Sequence, residues 1–205
     1  MCIEAMIKKL TWGYLLPVVC VCFVAPMGLV MINRIYGGEG EEVAKLSLVV
    51  LMFIIPICSV VWPIIMASDH ISVKGNELFY VKNKIKLPEY LLSFVIFMIL
   101  TVPVVYLAKE LCDLTRWKTE LYQLFCACLF LNGAYYMLIY ATGNYMIANI
   151  LTVGYVLYSV FTGQHEFNIN LDDLNNSYMC GIFLVLGIIA YIYGTYLNDH
   201  YEKYV

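Results

Sequence analysis

The chain alternates between long stretches without a formal charge and short segments where the charges collect. Leu10–Asn33, Leu46–Ser68, Tyr90–Ala108, Leu121–His165 and Leu174–Asn198 contain no Asp, Glu, Lys or Arg. A helix needs about 20 predominantly apolar residues to cross the hydrocarbon core of a bilayer, so four of these windows predict one crossing each. Leu121–His165 accommodates two, because Thr142-Gly143-Asn144 interrupts it with residues that favour a tight turn. The pattern predicts an all-α integral membrane protein, a single transmembrane domain over residues 1–205 with six transmembrane helices at about 10–33, 46–68, 90–108, 121–141, 145–164 and 176–198.

Composition narrows the class further. With 62% hydrophobic residues, 13% charged and a mean hydropathy of +0.79, the sequence lies outside the range of soluble domains. A chain of 205 residues with a net charge of −3 leaves no room for a soluble domain beside such a bundle, and nucleic acid is not an expected partner. Leu10–Asn33 is too long for the core of a removable signal and lacks a small-residue cleavage site, so it is expected to stay as the first span.

Basic residues set the expected orientation, since they are retained on the cytoplasmic side. Placing Lys8, Lys9, Lys74, Lys82, Lys84, Lys86 and Lys203 inside leaves Arg34, Lys45, Lys109, Arg116 and Lys118 outside, which makes both termini cytoplasmic in the cell membrane. The acidic groups Glu39, Glu41, Glu42, Asp172 and Asp173 then fall on the outer face. Pro17, Pro26, Pro56, Pro63 and Pro103 are expected to kink the first three spans.

Candidate chemistry is sparse. Eight cysteines include the pairs Cys20/Cys22 and Cys126/Cys128, but residues two apart on a helix point in different directions and do not jointly hold a metal. These thiols read as small buried hydrophobes, with Cys112 alone expected on the outer face. His70, His165 and His200 are far apart, and no zinc-protease or serine-hydrolase signature is present, so the chain is not expected to be an enzyme. Trp62, Tyr90, Tyr136, Tyr140, Tyr145, Tyr191, Tyr193 and Tyr196 are expected to form an interfacial aromatic belt, within which a substrate-contacting subset could lie. No ionisable residue falls near the middle of a predicted span, leaving Thr101, Asn132, Asn149 and Thr152 as helix-linking polar groups.

One segment stands apart. Ser72–Tyr90, SVKGNELFYVKNKIKLPEY, carries four of the twelve Lys and Arg residues between two hydrophobic runs. Read as a helix over Asn76–Lys82, with Gly75 before it and Pro88 at the entry to span three, it is short and amphipathic. Gly75-Asn76-Glu77-Leu78-Phe79-Tyr80-Val81 followed by a basic run resembles the loop between spans two and three of ABC-2-type transporter membrane subunits. The likeness extends to the six-span layout. It implies a permease of an ABC transporter, an exporter of a peptide, lipid or other hydrophobic substrate, whose coupling helix docks a separate ABC ATPase subunit. It also implies a second membrane subunit as dimer partner. In that reading Gly75, Asn76, Glu77, Leu78, Phe79, Val81, Lys82, Lys84 and Lys86 form the ATPase-docking surface. The chain has no phosphate-binding loop, so no cofactor is expected in it, and ATP and Mg would enter through the partner. Two other readings remain open. One is a non-transporting immunity or assembly factor whose lysines touch anionic headgroups of the lipid bilayer; the other is an energy-coupling-factor substrate-binding subunit.

Overall fold

The computed structural model of the protein describes residues 12–37, 41–71, 86–112, 117–161 and 174–200. Every element among them is helical. Helix α1 (Trp12–Val19) passes through a π-helical turn (Cys20–Val24) into α2 (Ala25–Tyr36). There follow α3 (Glu41–Ile71), α4 (Leu87–Cys112), α5 (Trp117–Thr142), α6 (Tyr145–Phe161) and α7 (Leu174–His200).

Five helical stretches are long and apolar enough to cross a membrane: Gly13–Tyr36, Glu42–Ser68, Leu87–Cys112, Trp117–Thr142 and Tyr178–His200. The remaining hydrophobic window forms α6, 17 residues long. At 1.5 Å per residue that is about 26 Å, short of the roughly 30 Å hydrocarbon thickness. The long helices also run past the charge-free windows, so that Lys109, Glu110, Lys118 and Glu120 are helical. A charged residue in an end turn is tolerated there because it sits near the headgroups or is enclosed by protein.

The prolines do not break the spans. Pro56 and Pro63 lie inside the uninterrupted α3, and Pro103 lies inside α4. The local departure is in the first span, where the Ala25 N–H bonds back to the Cys20 carbonyl, five residues away, immediately before Pro26. Proline has no N–H to offer the preceding turn, and a widened turn beside it absorbs the mismatch.

Helices α3 and α5 form the centre. α5 packs against α3, α4, α6 and α7, while α3 packs against α1, α2, α4, α5 and α6. α7 leans chiefly on α5, along a seam of glycines. A Cβ built on Gly133 would lie 2.5 Å from the Gly187 carbonyl oxygen, and one on Gly187 would lie 3.0 Å from the Phe130 nitrogen. One on Gly194 would meet the Tyr136 ring at 2.5 Å. The small residues Gly187, Ala190 and Gly194, spaced along one face of α7 in the sequence, thus make a close-packing strip, with Gly133 as the counterpart of Gly187 on α5.

The turn between α5 and α6 is as short as expected. Gly143 takes φ +62° and its N–H bonds the Ile139 carbonyl, closing α5. The Asn144 Oδ1 accepts the Met146 N–H at 2.9 Å, capping α6.

Candidate functional site

The central helix α5 carries buried polar and aromatic residues at three levels, and together they form the candidate site. Glu120 and Gln123 lie near its start, Asn132 near its middle, and Tyr135, Tyr136 and Tyr140 towards its end. All are enclosed: Glu120 is 1% exposed and Asn132 is fully buried.

At the first level, α4 ends at Cys112 and α5 begins at Trp117, whose ring meets that of Tyr106 edge-on at 6.1 Å. Cys112, expected towards the outer side of the membrane, is not exposed on the bundle. It is 1% exposed and its thiol meets Ser47 near the start of α3, because the extra turns of α4 carry it back against the bundle. Among the described residues neither carboxylate oxygen of Glu120 has a hydrogen-bond partner, and the Gln123 carbonyl oxygen has none either. The nearby helix-end charges among the described residues are otherwise engaged or exposed. Lys109 Nζ binds Glu110 at 3.0 Å and stands over the Tyr106 ring, while Lys118 stands over the Trp117 ring.

At the second level, the Asn132 amide donates to the Ser59 hydroxyl at 3.1 Å and to the Cys128 carbonyl at 2.8 Å, joining α5 to α3. Ser59 in turn donates to the Pro56 carbonyl. Asn132 therefore links helices, as expected, whereas Thr101 and Thr152 donate to carbonyls of their own helices. Cys58 is a neighbour of Cys20 from the π-helical turn and of Cys128. Cys126, two residues from Cys128, faces another way and packs with Cys180 and Phe183 of α7. Among the described residues no group of three His, Cys, Asp or Glu side chains converges as a metal site would require.

At the third level the structure corrects the aromatic belt. Tyr90, Tyr136, Tyr140 and Tyr191 are buried within the bundle instead of lying on its surface, and form one ring cluster around Tyr136. The centroid separations from Tyr136 are 4.9 Å to Tyr90, 5.1 Å to Tyr140 and 5.8 Å to Tyr191. Trp62 is also turned inward, its indole N–H donating to the Tyr14 carbonyl at 2.8 Å, which pins α3 to α1. Tyr193 and Tyr196 remain exposed. Among the described residues the hydroxyls of Tyr135 and Tyr191 have no hydrogen-bond partner. Small residues across the seam explain the change: Gly194 makes room for the Tyr136 ring inside the bundle.

Of the residues expected to dock an ATPase, Gly75, Asn76, Glu77, Leu78, Phe79, Val81, Lys82 and Lys84 lie outside the described residues. Lys86 is described: it is 4% exposed, and its carbonyl accepts the Glu89 N–H at 3.0 Å where α4 begins. Glu120, Gln123 and Tyr135 escaped the sequence reading. For Glu120 the available signal was its position directly before a charge-free window, where one more helical turn brings it inside.

Long apolar helices that enclose separate polar side chains define, among the described residues, an all-helical, multi-pass membrane protein. No protein-family model, no curated protein and no solved structure matches the chain.

Proposed function

We propose that the chain is the membrane-spanning permease subunit of an ABC-type transporter in the cell membrane, driven by a separate ATPase. The observation that carries this reading is the set of enclosed polar side chains on α5, from Glu120 and Gln123 through Asn132 to Tyr135. Polar groups enclosed in a membrane bundle are costly, and those left unpaired mark binding sites or pathways by default. The basic segment 72–85 joins two long helices, the place where a permease meets its ATPase. In this reading the hydrophobic window that contains α6 is the sixth crossing, both termini are cytoplasmic, and a second membrane subunit completes the pathway.

The test acts on the docking segment. Leu78→Ala with Phe79→Ala is expected to abolish both co-purification of an ATPase and its stimulated ATP hydrolysis, because apolar anchors dominate small interfaces. Lys82→Gln with Lys84→Gln is expected to change mainly the salt dependence. If instead the apolar pair is dispensable and the lysine variant loses membrane-surface association, the segment binds headgroups and the permease reading fails.

A further inference from the structure

Glu120 poses a problem that the rest of the bundle does not solve. The residue is 1% exposed, and among the described residues neither carboxylate oxygen meets a donor. Gln123, three residues on and so on the same helical face, is 6% exposed and its carbonyl oxygen is likewise unpartnered. An unpaired buried charge is among the most costly features a folded chain can carry, so this one needs a counter-charge or a proton.

Among the described residues, the charged side chains of the packed helix ends do not provide it. Lys45 on α3 and Lys118 on α5 are exposed, and Lys109 on α4 is paired with Glu110. On α7 the sequence holds no charged residue between Leu174 and Asn198. Glu120 lies in the first turn of α5, and once ionised it needs a positive charge close by to offset its burial. The unpartnered atoms are all oxygens, the ligands that hard cations prefer. One carboxylate supplies one negative charge, and among the described residues no further acid, His or Cys joins it as a cluster.

We propose that Glu120 and Gln123 bind a hard monovalent cation of the alkali class at the end of the bundle where α4 gives way to α5. The two Glu120 oxygens and the Gln123 carbonyl oxygen are its protein ligands. The site gives the chain a ligand of its own, independent of any ATPase partner.

The test uses the purified full chain in detergent, without partners. Its thermal unfolding midpoint is followed at pH 8 and constant ionic strength as N-methylglucamine is replaced by sodium or by potassium. The expected result is a midpoint that rises with the logarithm of the alkali-ion concentration by several degrees per decade, as a ligand of the native state requires. Glu120→Gln, nearly the same shape without the charge, is expected to unfold in N-methylglucamine no lower than the parent and to lose the cation response. Gln123→Leu is expected to need at least tenfold more cation for the same shift, while Asn132→Leu keeps the parent response. A parent midpoint indifferent to alkali ions overturns the proposal, as does an unchanged response in Glu120→Gln. A midpoint that depends on pH through Glu120 but not on sodium or potassium also overturns it, by showing that the counter-charge is a proton.

Discussion

Helix α5 is held on two sides by opposite means. Towards α7 it presents Gly133, and the two backbones meet with so little between them that a single methyl group would collide with the Gly187 carbonyl. Towards α3 it presents Asn132, one residue earlier, which reaches across to Ser59. In a bilayer the hydrophobic effect does not drive helices together, so association falls to close packing and hydrogen bonds. The neighbouring pair Asn132-Gly133 uses one device on each face. The seam works by the absence of side chains and tolerates nothing added. The polar link works by a side chain whose loss is cushioned, since the separated helices would find other partners for it.

The largest effect is therefore expected at the seam. Gly187→Leu would drive a branched side chain into the Leu129 and Phe130 backbone, and about 3 kcal/mol or more of stability is expected to be lost. Unfolding in mixed detergent and SDS micelles measures it. Gly133→Ala, with its methyl 2.5 Å from a backbone oxygen, is expected to cost roughly 1–3 kcal/mol by the same measurement. Asn132→Leu removes the cross-helix bond while nearly keeping volume, and about 0.6–1.7 kcal/mol is the expected loss. A loss at Asn132 exceeding that at Gly133 would reverse the ranking and make the polar link the stronger device. Gly181, on the same α7 but with nothing within 4 Å of an added Cβ, is the control. Gly181→Ala is expected to leave stability unchanged or raise it by up to about 1 kcal/mol through helix propensity.

The turn at Thr142–Asn144 and the glycine strip on α7 were legible in the sequence because each depends on local chemistry. A residue at φ +62° asks for Gly whatever surrounds it, and small residues spaced along one helical face advertise a close neighbour. The candidate site was less legible. Tyr136 and Tyr193 are the same residue type in equally apolar surroundings, yet one is buried and the other exposed. Sequence position puts both near a span end, where amphipathic rings belong to the headgroup level by default. Only the packing of α7 on α5, with Gly194 opposite Tyr136, turns one of them inward.

The chain's own pattern of charge-free windows determined that it is helical and that most of its length lies in spans, because twenty apolar residues in a row have few other stable arrangements. It determined the tight turn and the small-residue seam for the same kind of local reason. Tertiary structure alone decided which helix is central, that Cys126 and Cys128 serve different neighbours, and that Glu120 is enclosed. In a nearly uniform apolar sequence each helix has several faces fit for burial. The choice among them is made by the shapes of the helices it meets, and those are not written in any one segment.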